Sequence, residues 1–244
     1  MRIIDAHIHV GCNRDTKYYS EVELWRDLRE AGAQGAVIFA FPEDIYRITD
    51  SIEARLRANE YVLEVAGKSP DLYPFYFVWN DYLIPENLDR YVGVKWHRHY
   101  DEPRYDYDDP RCGRFLDEIR RLRMPVLLEE EFEETRRFIL ENPDIDVIIP
   151  HMGKLNGGYE RMRAFYRMDN VYFDTSMAPL EAIKRCLNAI GPERVIFGSD
   201  VSGTSQPFYN FPKVELEKIR RLNLPRRELE LILSGNIERI ISKK

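Results

Sequence analysis

The chain of 244 residues has only three cysteines, Cys12, Cys112 and Cys186, which are widely separated, odd in number and without Cys-x-x-Cys spacing. That excludes a disulfide framework and makes a reducing cytoplasm the expected setting. No apolar run approaches the roughly 18 residues a membrane helix needs, so no membrane association is expected, and the first residues lack a basic-then-apolar secretion pattern. An excess of positive charge is missing too: 36 Lys and Arg against 42 Asp and Glu leave a net −6. A general nucleic-acid binder, which needs a basic footprint, is excluded on that ground. Pro/Gly/Ser-rich linkers, repeats and low-complexity stretches are also absent, so one domain is expected over 1–244.

What is there is a hydrophobic share of 44% beside a charged share of 32%, the composition of a globular protein with an ionised surface. Apolar runs of strand length recur at 3–9, 35–41, 73–79, 91–97, 125–129, 146–150, 170–174 and 194–198. They are continuous β-branched and aromatic runs rather than clean alternations, as in parallel strands buried on both faces. Amphipathic segments separate them, at 20–32, 50–67, 112–122, 133–141, 159–168 and 180–190, with closing helices near 212–222 and 226–233. Ser20 and Glu23 form a capping-box pattern at the start of the first helix, and Gly32 stops it. Between the third and fourth strands, 84–90 has room for only a short helix. Eight β-then-α units predict an α/β protein of the (β/α)8 TIM-barrel type. The competing doubly wound sheet would carry a Gly-rich phosphate loop after the first strand, and there is none.

The chemistry concentrates where strands end. Residues 3–10 read Ile-Ile-Asp-Ala-His-Ile-His-Val, and strand alternation predicts His7 and His9 on one face, with Asp5 on that face too. Two imidazoles so spaced reach one divalent ion, although a pair of core or hydrogen-bonded histidines has the same pattern. The fourth strand gives Lys95 and His97, the fifth ends in Glu129, the sixth runs into His151, the seventh into Asp174 and the eighth into Asp200. Four of the five histidines thus fall at strand ends, and His99 lies just beyond. In a barrel these positions form the catalytic mouth. For Asp200 a metal ligand or general base competes with a loop cap. For His151 the readings are a structural histidine, a ligand or a proton shuttle. Glu129 is either a surface glutamate of an acidic run or points into the mouth. Lys95 is an ion-pair partner or an anchor for a substrate anion, and Asp174 a support for a ligand or a cap.

Taken together, the motifs resemble the metal-dependent amidohydrolase superfamily, in particular the amidohydrolase-2 group related to aminocarboxymuconate-semialdehyde decarboxylase. Asp5-Ala6-His7-Ile8-His9 is similar to its first-strand motif and Gly93-Val94-Lys95-Trp96-His97 to its fourth. Pro150-His151-Met152-Gly153 is similar to the sixth, Phe197-Gly198-Ser199-Asp200 to the eighth, and Gly235-Asn236-Ile237-Glu238-Arg239 to the closing helix start. The resemblance covers nearly the whole chain. It implies a distorted barrel in which His7, His9 and Asp200 help hold one divalent metal, usually zinc, with His151 as acid–base catalyst or further ligand. One departure stands out: Glu129 occupies the place of a usual metal-binding histidine. A carboxylate there is expected to serve as an oxygen ligand, which admits manganese or iron beside zinc.

The expected activity is hydrolysis of a small amide, lactone or ester, with Asp200 or His151 moving the proton and Lys95 or His97 stabilising the oxyanion. Non-oxidative decarboxylation of a small unsaturated or aromatic acid is the alternative, and a non-catalytic small-molecule-binding barrel a second one. In the segment 98–110, Arg98, Arg104 and Tyr107 are candidates to pair with a substrate carboxylate, against the reading of a solvated loop; 201–211 is a second mouth loop. A homodimer is expected from the resemblance alone.

Overall fold

All eight apolar runs form strands in the computed structural model, which describes residues 1–13, 17–46, 52–98, 102–201 and 210–242. The chain opens with β1 (Ile4–His9) and a short antiparallel hairpin of β2 (Gly11–Asn13) and β3 (Lys17–Tyr19). It continues with β4 (Gly35–Phe39), β5 (Leu72–Phe77), β6 (Gly93–His97) and β7 (Val126–Glu129), and ends with β8 (Val147–Ile149), β9 (Val171–Asp174) and β10 (Val195–Ile196). Strands β1 and β4 to β10 pair in sequence order, every ladder parallel. The two ends are drawn together where Ala6 N–H donates to Phe197 O at 2.9 Å and His9 N–H to Val201 O at 3.2 Å. The result is a nearly closed (β/α)8 barrel.

Helices α1 (Glu21–Ala31), α2 (Pro42–Tyr46), α3 (Ile52–Ala66), α4 (Pro110–Leu122), α5 (Phe132–Glu141), α6 (Leu180–Ile190) and α7 (Phe211–Arg220) follow the strands. In α1 the capping box forms as the sequence predicts, with Ser20 N–H donating to Glu23 Oε2 at 2.8 Å, and Gly32 ends the helix in the left-handed region at φ 79°. Leu24, Leu28 and Ala31, one turn apart, are its buried stripe. Among the described residues no helix is long and apolar enough to cross a membrane.

Two apolar clusters hold the molecule together. One fills the space between strands and helices around Trp96, Phe115 and Phe138. The other fills the barrel itself, with Ile4, Ala6, Phe39, Phe75, Leu127 and Ile196 pointing inward. Ile237, Ile240 and Ile241 of α9 (Asn236–Ile241) belong to this inner cluster and plug one end of the barrel. Each such large side chain contributes about 1.5–3 kcal/mol by leaving water.

Three expectations are corrected. The amphipathic segment 159–168 forms only a 3₁₀ turn over Arg161–Phe165. Gly157 and Gly158 precede it at φ 102° and 96°, and at its far end Arg194 takes the carbonyls of Tyr166 and Met168, which diverts them from a continuing helix. The segment 226–233 divides into α8 (Arg226–Glu230) and a π-helical turn (Leu231–Gly235) that leads into α9. Finally, β1 is bulged. Asp5 pairs with Ala36 and Ile8 with Ile38, so three steps on β1 match two on β4, and the inside–outside alternation changes phase between them.

At Gly93 an added Cβ would stand 2.4–2.7 Å from the Phe75 ring in the barrel interior. Gly93→Ala is expected to destabilise the fold by about 1–3 kcal/mol, read as a lower urea midpoint at unchanged m-value.

Candidate functional site

The bulge in β1 decides what enters the mouth. Ala6 lies in the barrel interior and Ile8 in the outer shell, and His7 and His9 both turn to the mouth, where they meet Asp200. Asp5 does not share their face, contrary to simple alternation. It turns back to accept from His7 N–H at 3.1 Å and Ser199 N–H at 2.9 Å. Burial pushes its carboxyl up to about 8, against the pull of the hydrogen bonds from Ser199 and His7, and its Oδ2 has no partner. Asp5 is therefore a structural residue, joining the first strand to the loop that carries Asp200.

One donor atom each from His7, His9 and Asp200 lies within 4.8 Å of the others. Asp200 Oδ1 is 3.3 Å from His7 Nε2 and 3.4 Å from His9 Nε2. The remaining ring nitrogens fix the tautomers. His7 Nδ1–H donates to Asp174 Oδ2 at 2.6 Å, and His9 Nδ1–H to Ala40 O at 2.9 Å. Both Nε2 lone pairs therefore converge on Asp200. Burial, helped by the Lys95 ammonium, lowers His7 to about 4, and burial lowers His9 as well. Both rings are neutral at pH 7, the state that binds metal. Burial works against the Asp200 charge, but its carboxyl is held far below the usual range, with His151 as the cationic imidazole that faces it. The buried Nε2 of His7 makes no hydrogen bond. Two neutral imidazoles, one of them with an orphaned Nε2, and an ionised carboxylate fit a divalent cation.

His151 faces the group from β8. Its Nε2 is 3.9 Å from Asp200 Oδ2 and 3.5 Å from Glu129 Oε2, and its Nδ1–H donates to Ser176 O at 3.1 Å. Burial disfavours its charge, yet Glu129 and Asp200 outweigh burial and raise it to about 9. The backbone is strained here: His151 at φ 55°, Met152 at 53° and Asp200 at 56° all sit in the left-handed region, which costs on the order of 1–3 kcal/mol each. Gly153 continues this turn at φ 81°, where a Cβ would stand 2.2 Å from Met162.

Glu129 points into the mouth but stands outside the three-residue group. Its Oε2 is 3.3 Å from Lys95 Nζ and its Oε1 3.3 Å from His97 Nε2. His97 Nδ1 in turn lies 3.3 Å from Glu102 Oε2. Burial opposes the charges of Glu129 and His97, but each outweighs it for the other: Glu129 is held well below its ordinary range and His97 raised above its own. Ser176 was not anticipated. Its N–H and hydroxyl both donate to Asp174 Oδ1, locking the carboxylate that orients His7. Only its nearness to Asp174 in sequence could have suggested this.

The proposed carboxylate clamp does not form. Arg98 is buried against Glu130 and Glu131, at 3.4 and 3.2 Å. Tyr107 stacks on Trp96 and donates to Glu130 Oε1 at 3.4 Å, and Arg104 is exposed. The acidic pair Glu130–Glu131, read from sequence as a surface run, captured the guanidinium instead. His99 and residues 202–209 of the second mouth loop lie outside the described residues.

Residues 4–242 match the family model Amidohydro_2, described as Amidohydrolase. Among solved structures, a probable 2-pyrone-4,6-dicarboxylic acid hydrolase from Acinetobacter baumannii with citric acid bound superposes at a TM-score of 0.76 with 17% identity, over 99% of this chain and 100% of its own. A 5-carboxyvanillate decarboxylase from Sphingomonas paucimobilis gives 0.73 and 14%, over 99% of both chains. A dihydroxybenzoic acid decarboxylase from Polaromonas sp. JS666, with manganese and 2-nitroresorcinol bound, gives 0.72 and 16%, over 99% of this chain and 97% of its own. At such identities the likeness establishes the fold. No curated protein matches the sequence significantly.

Asp174→Asn keeps the shape at 174 but loses the charge that orients His7. Its affinity for Zn²⁺ or Mn²⁺, measured by calorimetry, is expected to fall about 10–100-fold, whereas His7→Ala should abolish stoichiometric binding.

Proposed function

Since the chain belongs to the Amidohydro_2 family of amidohydrolases, we propose that it is a metal-dependent hydrolase of a small amide, lactone or ester. The observation that carries this reading is the division of labour across Asp200, with one oxygen toward His7 and His9 and the other toward His151. His7, His9 and Asp200 would hold the cation; two imidazoles and a carboxylate suit zinc, and equally manganese or iron. When bound, such an ion acidifies a water toward a pKa of ~7 and polarises a carbonyl.

The chain's own groups handle protons and orientation. Asp200 Oδ2 accepts the proton released by the attacking water. His151, protonated at neutral pH, donates its Nε2 proton to the leaving nitrogen or oxygen, and recovers one from Asp200 across their 3.9 Å gap. Glu129 anchors His151 and is itself held by Lys95 and His97. The Lys95 ammonium, buried above the Phe39 ring, supplies the positive field for charge developing on the substrate oxygen. Cys112 and Cys186 are free and buried, in keeping with a reducing cytoplasm.

The raised His151 pKa also favours a second reading, decarboxylation of a small unsaturated or aromatic acid, which needs only delivery of a proton to carbon. The metal-loaded protein, offered lactones, amides, esters and aromatic carboxylates in H₂¹⁸O, distinguishes the two. Hydrolysis is expected to place ¹⁸O in the product without release of CO₂, and His151→Gln to lower kcat about 10²–10⁴-fold. Release of CO₂ without ¹⁸O uptake establishes the decarboxylase instead, and absence of turnover across the panel overturns both.

A further inference from the structure

Behind the turn that carries His151 lies a second cavity, of about 500 Å³, outside the barrel between α6 and the 3₁₀ segment. Its size falls in the range of sites for small molecules. The space exists because α6 presents Ala182, Cys186 and Ala189 toward it; spaced four and three residues apart, these lie on one helix face, and none has a side chain long enough to fill the gap. Tyr159 and Tyr166 add aromatic walls, and Met152, itself buried, lines it from the side of the strained turn.

Its charge contrasts with that of the chain. Three arginines, Arg163, Arg167 and Arg185, line the cavity beside a single carboxylate, Glu160. Glu160 is shared: it pairs with Arg185 and, at 3.1 Å, with Arg163. Arg167 has no ion-pair partner among the described residues. An apolar and aromatic recess rimmed by surplus guanidinium, in a protein of net charge −6, is built for an anion with an apolar body. Guanidinium forks match carboxylates in two-point hydrogen bonds.

We propose that this cavity binds a small aromatic carboxylate, separately from the barrel mouth, and that occupancy is transmitted to His151 through Met152. The linkage is covalent and short. Met152 follows His151 directly, both residues are left-handed, and Gly153 packs on Met162 with no room for a Cβ. A ligand that presses on Met152 therefore acts on the backbone that aims the His151 ring. The inference does not depend on which reaction the mouth performs.

Benzoate is the probe, followed by calorimetry and by the backbone amide resonances of Met152 and Gly153. A saturable site that is sensitive to Arg167→Gln, and so distinct from any binding of benzoate at the mouth, is expected, with both amides shifting along its isotherm. Arg167→Gln, an exposed and structurally mild change, should weaken binding roughly ten-fold or more, as expected for loss of a charged hydrogen bond. Ala182→Leu should abolish it by filling the recess. Benzamide should bind far more weakly than benzoate, and inorganic phosphate more weakly too, because it has no apolar body. Equal benzoate affinity in wild type and Arg167→Gln overturns the proposal, as does phosphate binding as tight as benzoate. Saturation that leaves the Met152 and Gly153 amides unmoved overturns the link to His151.

Discussion

Backbone hydrogen bonds between the first and last barrel strands, Ala6 N–H to Phe197 O and Asp200 N–H to His7 O, are the constraint on which the centre depends. His7 and His9 stand near the start of the chain and Asp200 far along it, so closing the barrel is what brings the three together. Joining distant segments carries an entropy cost that grows only logarithmically with the intervening length, and it is offset by the whole inner core rather than by the site. The Asp5 carboxyl reinforces the seam by accepting from the amides of His7 and Ser199. Metal geometry and barrel closure are thus one structural problem.

The mouth has two electrostatic halves. On one side His7 and His9 are kept neutral, with Asp174 and a backbone carbonyl choosing their tautomers. On the other, Lys95, His97 and His151 surround the Glu129 carboxylate, with Glu102 beside His97 and Asp200 beside His151, so that buried basic groups and carboxylates alternate. Withdrawing ions from water costs several kcal/mol apiece, and such a set is tolerated only when complete, since loss of one partner costs about 3–5 kcal/mol. Substitutions in this half therefore report on folding as well as on chemistry. Asp200 spans the two halves, which is why its two oxygens have different neighbours.

Much of this was legible in the sequence, because parallel strands buried on both faces leave continuous apolar runs and a barrel displays its chemistry at strand ends. The eight strands, the caps of α1 and the meeting of His7, His9 and Asp200 all follow from those rules. What escaped was governed by backbone geometry or by partners distant in sequence. The β1 bulge removed Asp5 from the histidine face, and no residue-type pattern announces a bulge in that run. Arg98 was drawn to Glu130 and Glu131, a choice that only the packed loop decides. Residues 159–168 have helical periodicity, yet Arg194, from the far side of α6, claims their terminal carbonyls. Glu129 could be placed at a strand end, but its engagement with Lys95, His97 and His151 required three strands to be assembled.

The left-handed backbone at His151 and Asp200 bears on how such a protein diverges. Most side chains are penalised in that region, β-branched ones severely, whereas Asn, Asp, His and Gly are accepted. Random drift at these two positions is thus filtered first by conformation and only then by chemistry. Asparagine passes the first filter and fails the second, and one base change converts either a histidine or an aspartate codon to it. A lineage that no longer needs the reaction can lose it in a single step and keep the barrel, so folded, inactive descendants lie close at hand in sequence space.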